Sequence, residues 1–357
     1  MRVELIPSSE KVPLLPLPVR ISGRAAQGPG PYRFIHHWPG FHTEARFRGR
    51  SVIVRLADDV NRLRIVLDEG GTGVVEVSRP GSVDLRISGL SDGAHTIRLQ
   101  KFSESSAPAQ FGGFFVDSEG EAMPAPQSVP RLIEFIGDSD TVGFGSTSER
   151  RDCNDAQIFA ATDSTKAFGP RVAAGLNADY RVIARSGIGL VRNYEGADRG
   201  DTMPRQYGRG LPDDAESVPI PETAPDVIVV GLGSNDFGSA LQANERWKDY
   251  RALREDFAPA LTAFLQARAR ECPQAIFILL AFGEYGEELI GAYHEADSAL
   301  RRGGTKSSLV ILPKLDRRGC QWHPSPRDHA MIADRLIAAI AAKEPSWSTT
   351  PQPIVHQ

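Results

Sequence analysis

Residues 131–145, with the sequence RLIEFIGDSDTVGFG, constrain the fold of this chain more than any other stretch. They open with the apolar run LIEFI, whose length and content of β-branched and aromatic residues are typical of a buried strand. A Gly-Asp-Ser tripeptide follows directly, so Ser139 is predicted on a loop at the carboxyl end of a strand, where open α/β sheets bind their ligands. Such a turn is also common without any chemical role. A nucleophilic Ser139 therefore requires a base elsewhere in the chain.

Glycine, asparagine and histidine motifs follow further strand-like segments. Gly187 and Gly189 lie in ARSGIGL, Asn235 in GLGSND and His323 in GCQWHPS. Serine, glycine, asparagine and histidine in this order resemble the sequence blocks of the SGNH, or GDSL-type, hydrolases. The longer strings IEFIGDS, YRVIARSGIGLVRNY, VVGLGSNDF and GCQWHPS resemble, more narrowly, the carbohydrate esterase family 2 deacetylases. The resemblance covers most of the chain, because those enzymes also carry an N-terminal β-sandwich.

Composition and charge exclude several classes of partner. The 357 residues carry a formal net charge of −4 and contain no basic block, so neither a nucleic acid nor an anionic membrane is expected to bind. No apolar stretch approaches the ~20 residues needed to cross a bilayer. No cofactor and no metal are expected, because no ligands recur at metal-binding spacing, and the pair His36 and His37 has no third partner nearby.

The cysteines and the N-terminus bear on the compartment. Cys153, Cys272 and Cys320 are too few and too widely spaced for a disulfide framework or a zinc site, although one pair could form a bridge. The N-terminal segment MRVELIPSSEKVPLLPLPVRI has a proline-broken apolar stretch, which makes a poor signal peptide. The family resemblance implies secretion or the cell surface, whereas the residues favour a reducing compartment. A cytoplasmic location is the expectation.

Two domains are predicted. Residues 1–117 contain short alternating strands separated by turns such as 68–71, which indicates an antiparallel β-sandwich, and the resemblance implies a jelly roll. Residues 36–41, which include two histidines, a tryptophan and a phenylalanine, are expected to pack rather than to contact carbohydrate. Residues 118–130 form a linker, residues 131–345 a three-layer doubly wound parallel sheet of five strands, and residues 346–357 a flexible tail.

Acyl transfer requires a nucleophile, a base and donors for the tetrahedral oxyanion. Ser139 is the predicted nucleophile. His323 is the predicted base, because it follows the last strand and precedes the last helix, which returns it to the same sheet edge. The oxyanion hole would combine the backbone N–H of Ser139, a glycine N–H and the side-chain amide of Asn235. Counting from the preceding strand favours Gly189, with Gly187 as the second candidate.

The group that orients His323 is left open. Triad-bearing members of the resembled family carry an aspartate two or three residues before the histidine, and these positions hold Gln321 and Cys320 here. Either a backbone carbonyl orients the ring, giving a Ser–His dyad, or the amide oxygen of Gln321 does, or a displaced Asp316 completes a triad. A neutral acceptor fixes the tautomer but stabilises an imidazolium less than a carboxylate does.

Acidic residues flank the motifs. Asp138 and Asp236 are expected to fix loops as hydrogen-bond acceptors. Asp140 is a departure, because an aliphatic residue is usual after Gly-Asp-Ser in the resembled family. A carboxylate beside the nucleophile disfavours an oxyanion unless it is turned away or paired, and Arg185 is the suggested partner.

The expected substrate is an acetylated sugar. Tyr194 and Trp322 are predicted to bind it by stacking on a pyranose ring, and no apolar lid of the lipase kind is apparent. The function implied by the resemblance is metal-independent removal of O-acetyl groups from plant polysaccharide or oligosaccharide, at the 6-position of a hexopyranose. Two alternatives stay open, namely a general GDSL esterase or thioesterase acting on small acyl substrates, and a non-catalytic carbohydrate-binding protein on a decayed hydrolase scaffold.

Overall fold

A computed structural model describes residues 1–6, 13–31, 33–68 and 73–347, which fall into two compact units. Unit 1 comprises Met1–Ser128 and Gly208–Glu222. Unit 2 comprises Val129–Tyr207 and Thr223–Gln357. The chain therefore leaves unit 2 after Tyr207 and re-enters it at Thr223.

Unit 1 consists of two antiparallel sheets, as predicted. Burial alternates along its strands, so that Leu63, Ile65 and Leu67 share one apolar core with Val54 and Leu56 of the other sheet. The strands are β1 Arg2–Ile6, β2 Leu15–Pro16, β3 Val19–Ser22, β4 Ala25–Gln27, β5 Phe34–His36, β6 His42–Arg48, β7 Ser51–Asp58, β8 Arg62–Leu67, β9 Gly73–Ser78, β10 Gly81–Ser88, β11 Ala94–Lys101, β12 Ala109–Val116 and β13 Glu121–Ala122. One sheet has the order β1-β10-β7-β12-β5-β4 with β2 beside β12, and the other has the order β13-β6-β11-β8-β9 with β3 beside β6.

The structure differs from the predicted boundaries in three places. Gly208–Glu222, predicted within the catalytic domain, belongs to unit 1, where the Ile220 N–H donates to the Ala25 carbonyl at 2.9 Å. The predicted linker contains β13, which pairs with β6. Of the predicted tail, Trp347 is buried, and residues 348–357 lie outside the described residues, as do residues 69–71 of the predicted turn.

The aromatic stretch at residues 36–41 is buried within unit 1. His36, Trp38 and Phe41 have no exposed surface, and the Trp38 indole N–H donates to the Arg209 carbonyl at 3.1 Å. Burial lowers the pKa of His36 well below its usual value. These contacts favour the packing role that the sequence predicts.

Unit 2 is built on a five-stranded parallel sheet, as predicted. Its strands are β14 Leu132–Gly137, β15 Asp179–Ala184, β16 Val227–Gly231, β17 Ile276–Phe282 and β18 Ser307–Leu312. They lie in the order β15-β14-β16-β17-β18, so the chain moves to one side of β14 and then to the other. Such a switch point opens a crevice at the carboxyl ends of the strands, which is where Ser139 follows β14.

Helices cover the sheet and give the predicted layered architecture. They are α1 Ser139–Val142, α2 Asp155–Ala161, α3 Phe168–Gly175, α4 Met203–Gln206, α5 Ser234–Phe237, α6 Tyr250–Glu271, α7 Glu287–Arg302 and α8 Pro326–Lys343. Phe168 of α3 and Leu336 of α8 share a core with Phe135 of β14, while α6 packs against α7. Short 3₁₀ helices span Ser164–Lys166, Tyr194–Gly196, Gly283–Tyr285, Cys320–Trp322 and Pro345–Trp347. Within the described ranges, no helix is long and apolar enough to span a membrane.

Candidate active site

Ser139 begins α1 at the end of the central strand β14. Asp138 caps this short helix by accepting the Asp140 N–H at 3.0 Å, and its carboxyl group is also hydrogen-bonded to the Ser234 hydroxyl of α5. Burial raises the pKa of Asp138 well above its usual range, and the nearby Asp140 carboxylate adds to the effect. Asp138 therefore fixes the loop that carries Ser139 to the loop that carries Asn235, as expected of it.

Asp140 is paired, but not with Arg185 as suggested from the sequence. Nη1 and Nη2 of Arg317 donate to its two carboxylate oxygens at 3.0 and 2.7 Å. Burial alone would raise the pKa of Asp140, but the Arg317 guanidinium outweighs burial and lowers that pKa below its usual value. Arg185 instead approaches Gln206, with 3.5 Å between Nη1 and Oε1. The carboxylate beside the nucleophile is thus neutralised by a residue 177 positions away.

The glycine loop after β15 corrects the predicted oxyanion donor. The Gly189 N–H donates to the Asn193 side-chain oxygen at 2.9 Å, and a Cβ on Gly189 would lie 1.9 Å from the Arg192 carbonyl oxygen. Gly189 is therefore a packing glycine within its loop and not an available donor. Gly187 lines the cleft with a φ of 80°, and a Cβ there would meet no atom within 4 Å. Of the two candidates, Gly187 is the one that lines the cleft together with Ser139.

Asn235 and Asp236 hold the same loop from α5. The Asn235 amide donates to the Ile188 carbonyl at 2.8 Å, which uses one of its two N–H groups and aims the side chain at the glycine loop. Asp236 accepts the N–H groups of Leu190, Val191 and Arg192 at 2.8–2.9 Å. Burial raises the pKa of Asp236 to about 6 against these hydrogen bonds, which lower it. Asp236 is a loop-fixing acceptor, as predicted.

His323 is oriented by the main chain. Its Nδ1–H donates to the Cys320 carbonyl at 2.8 Å, and its ring packs on Phe144 with 4.4 Å between centroids. Because a carbonyl can only accept, the proton of the neutral ring lies on Nδ1 and Nε2 carries the lone pair. Asp316 lies elsewhere, with its carboxylate 3.1 Å from Nε of Arg318. Of the three alternatives left open by the sequence, the backbone carbonyl is the one observed.

A disulfide connects the turn that carries His323 to the segment between α1 and α2. Cys153 and Cys320 are bonded, and Cys320 supplies the carbonyl that accepts the Nδ1–H of His323. The sequence left such a pairing open without naming the residues. The third cysteine, Cys272, is free and partly buried, and burial raises its pKa.

These residues surround one cleft of about 1000 Å³ in unit 2. Ser139, Asn235, His323 and the two predicted stacking residues, Tyr194 and Trp322, line it together. Tyr194 and Trp322 are 47% and 62% exposed, so both rings are available to a ligand. The predicted site residues are thus gathered in a single cleft, with Gly187 in place of Gly189.

Several residues of the cleft are not among the site residues predicted from the sequence. They are Phe144, Ser186, Glu284, Tyr285, Lys314 and Arg317. Glu284 and Tyr285 follow β17 directly, and their position at the carboxyl end of a strand was a usable signal. Within the part of the chain that the structure describes, no group of three His, Cys, Asp or Glu side chains could hold a metal ion.

The sequence matches two family profiles. The profile described as carbohydrate esterase 2 N-terminal matches residues 21–126, and that described as GDSL-like lipase/acylhydrolase matches residues 133–336. The two matches correspond to the sandwich of unit 1 and to the parallel sheet of unit 2.

Similar proteins agree with these profiles. An acetylxylan esterase / glucomannan deacetylase of Cellvibrio japonicus is 35% identical over 93% of both chains. The cellulase/esterase CelE of Acetivibrio thermocellus is 30% identical over 86% of this chain and 37% of its own length. A solved family two carbohydrate esterase from Clostridium thermocellum, in complex with cellohexaose, has a TM-score of 0.78 at 28% identity and covers 92% of this chain and 99% of its own. The chain therefore belongs to carbohydrate esterase family 2 and carries a GDSL-type serine hydrolase domain.

Proposed function

We propose that this protein removes acetyl groups from an acetylated plant polysaccharide or oligosaccharide through an acyl-enzyme on Ser139. The hydrogen bond from His323 Nδ1–H to the Cys320 carbonyl, at 2.8 Å, carries the proposal. It makes Nε2 the proton-accepting nitrogen in the cleft that also contains Ser139. The choice of an acetylated polysaccharide is supported by a relative that is an acetylxylan esterase / glucomannan deacetylase.

In the first half-reaction, the Ser139 hydroxyl oxygen attacks the acetyl carbonyl carbon while its proton passes to His323 Nε2. The oxyanion that forms accepts hydrogen bonds from the N–H groups of Ser139 and Gly187 and from the second N–H of the Asn235 amide. The tetrahedral intermediate then collapses, and the sugar oxygen leaves with the proton held by His323. An acetyl ester on Ser139 remains.

In the second half-reaction, water attacks the acetyl-enzyme and gives its proton to His323. The same donors hold the second oxyanion. Collapse returns the proton to the Ser139 oxygen and releases acetate. Because the ring is oriented by a neutral carbonyl, the tautomer is fixed but the imidazolium has no directly bonded carboxylate.

The walls of the cleft offer aromatic faces and polar groups that suit a sugar. Tyr194 and Trp322 present exposed aromatic faces on which a pyranose can stack. The remaining lining combines polar or charged residues, including Ser186, Glu284 and Lys314, with the rings of Phe144 and Tyr285.

Acetate release separates the proposal from its alternatives. The purified protein should release acetate from acetylated xylan or acetylated glucomannan, and it should prefer 4-nitrophenyl acetate to the butyrate by at least about tenfold. Hydrolysis of nitrophenyl esters without acetate release from either polymer would favour a general esterase. Polysaccharide binding without any hydrolysis would favour a carbohydrate-binding protein.

Two variants serve as controls. Ser139→Ala should abolish acetate release and escape labelling by a serine-directed fluorophosphonate. Labelling of this variant at another serine would contradict the assignment. Trp322→Ala should raise KM for the polymer far more than for 4-nitrophenyl acetate, because the ring would contact the sugar and not the acyl group.

A further inference from the structure

Arg317 forms a cluster of hydrogen bonds beside the proposed dyad. Its side chain is largely buried, and its guanidinium contacts two carboxylates and one carbonyl. Besides the pair of bonds to Asp140, Nε donates to the Glu284 carboxylate and Nη1 donates to the Trp322 carbonyl at 3.1 Å. Arg317 matches no motif of the sequence.

Two of the three partners of Arg317 are the chain neighbours of the nucleophile and of the base. Asp140 directly follows Ser139 in α1, and Trp322 directly precedes His323. One guanidinium therefore joins the helix that carries the nucleophile to the turn that carries the base. The main chain of the turn is held besides by the carbonyls of residues 145 and 151, and the His323 ring packs on Phe144.

The turn at residues 320–323 needs such support. Gln321 and Trp322 have φ values of 51° and 59°, a region that residues other than glycine seldom adopt. This same turn supplies the carbonyl of Cys320, which orients the His323 ring. If the turn relaxed, the acceptor of the Nδ1–H would move and the ring would lose its fixed tautomer.

We propose that Arg317 is a positioning residue, which fixes the turn at residues 320–323 to α1 and so holds His323 in register with Ser139. The proposal rests on the hydrolytic function proposed above. Arg317 acts through Asp140 and through the Trp322 carbonyl. By fixing the turn, Arg317 fixes the Cys320 carbonyl that orients His323. In a triad, an aspartate orients the histidine directly.

The guanidinium group is required for geometry as well as for charge. Its five N–H donors lie in one rigid plane, which allows simultaneous bonds to Asp140, Glu284 and the Trp322 carbonyl. A lysine ammonium is a compact donor at the end of a flexible stem and cannot span these partners. Arg317→Lys therefore keeps the charge that compensates the carboxylates and removes the clamp.

The test compares Arg317→Lys with Arg318→Lys. Arg318 is the matched control, because it is the neighbouring arginine, its side chain is 69% exposed, and it pairs only with Asp316 at the surface. Arg317→Lys should lower kcat on 4-nitrophenyl acetate about 10- to 100-fold while KM changes less than about twofold, since misplaced catalytic groups cost rate and not ground-state binding. Arg318→Lys should match the wild type.

A second readout does not depend on any substrate. In ¹⁵N-histidine-labelled protein, the His323 ring should be in the Nδ1–H form in the wild type and a tautomer mixture in Arg317→Lys, with His323→Gln identifying the signal. A wild type without esterase activity but with this tautomer change would refute the hydrolytic function and leave the positioning role supported. An active Arg317→Lys with an unchanged kcat and tautomer would overturn the positioning role.

Asp140→Asn guards against a folding defect in Arg317→Lys. It keeps an oxygen for Arg317 and the isosteric shape but removes the charge, so it should fold and show a smaller loss of kcat in the same direction. If both variants lose the native circular dichroism spectrum, or if both lose stability while kcat per folded molecule is unchanged, the role of Arg317 is structural and the proposal is wrong.

Discussion

Replacing Cys153 by serine tests how the bridge to Cys320 acts on the catalytic unit. The bridge joins cysteines 167 positions apart, so it closes a long loop in the unfolded chain. A chain-entropy estimate for a loop of this length is about 5 kcal/mol, and the loss of native disulfides typically costs ~2–5 kcal/mol. We expect Cys153→Ser to lower the free energy of unfolding by about 3 kcal/mol, which corresponds to a fall in Tm of roughly 6–12 °C.

The catalytic turn should survive the loss of the bridge. The Cys320 N–H donates to the Gly145 carbonyl at 3.2 Å, and the Gln321 N–H donates to the Arg151 carbonyl at 2.6 Å. Nε of Arg151 in turn donates to the Arg317 carbonyl at 2.8 Å. These bonds do not involve the sulfur atoms, whereas the bridge acts mainly on the unfolded chain, so kcat should stay within about threefold of the wild type.

The assay combines urea unfolding, followed by circular dichroism, with steady-state hydrolysis of 4-nitrophenyl acetate. Cys272→Ser is the matched control, because Cys272 is outside the bridge and its replacement should leave both quantities unchanged. Cys153→Ser with full stability would show that the bridge does not constrain the unfolded chain. A large loss of kcat with stability retained would show that the bridge itself positions His323, and either result refutes the reasoning.

The bridge also bears on the compartment in which the protein works. The cytoplasmic location stays a prediction, drawn from the N-terminal sequence and the small number of cysteines. Disulfides persist in oxidising compartments and are rare in the cytosol. Thiol counting on protein that has been alkylated directly in its native cells would determine whether the bridged or the dithiol form is the working one.

Three further predictions follow from the site and from a buried histidine. Asn235→Ala should lower kcat by about 100- to 1000-fold with little change in KM, measured on 4-nitrophenyl acetate, and a change in KM alone would make Asn235 a substrate clamp. Asp316→Asn should leave kcat within about twofold, because its carboxylate faces Arg318, and a loss as large as that of His323→Ala would restore a displaced triad. Burial lowers the pKa of His329 to about 4, so this histidine is neutral when folded and charged when unfolded below its ordinary pKa. Stability should therefore fall by up to ~3 kcal/mol as the pH falls from about 6.5 towards 4, and this loss should be absent from the urea midpoints of His329→Gln.

The gathering of Ser139, Asn235 and His323 in one cleft was predictable. Ser139 and Asn235 lie just past the ends of strands with a near-continuous apolar pattern, and His323 lies between the last strand and the last helix. The ends of parallel strands meet at one edge of the sheet. The sandwich of unit 1 was also predictable from a local pattern, since apolar and polar residues alternate along its strands with a period of two. The return of Gly208–Glu222 to unit 1 was not, because no local pattern in that segment records a backbone pairing with residues almost 200 positions away.

The choice between Gly187 and Gly189 depended on a contact that the sequence does not display. Counting residues from the strand end treats the loop as extended. The structure folds it back, so that the Asn193 side chain takes the Gly189 N–H and Asp236 takes the next three. Asn193 and Asp236 both lie in motifs identified from the sequence. Which N–H groups they accept is set by how the loop folds and not by the spacing of residues.

A main-chain acceptor for His323 leaves no side-chain signature, which is why the sequence left three alternatives open. A carboxylate acceptor would constrain one residue to be acidic. A carbonyl acceptor does not depend on which side chain residue 320 carries. It depends on the backbone geometry of the turn, which sets where the carbonyl points. The residue whose identity matters is then the one that holds the turn, namely Arg317 through the Trp322 carbonyl. Variation at Arg317, more than at the acid position itself, should therefore govern whether a dyad of this kind remains active.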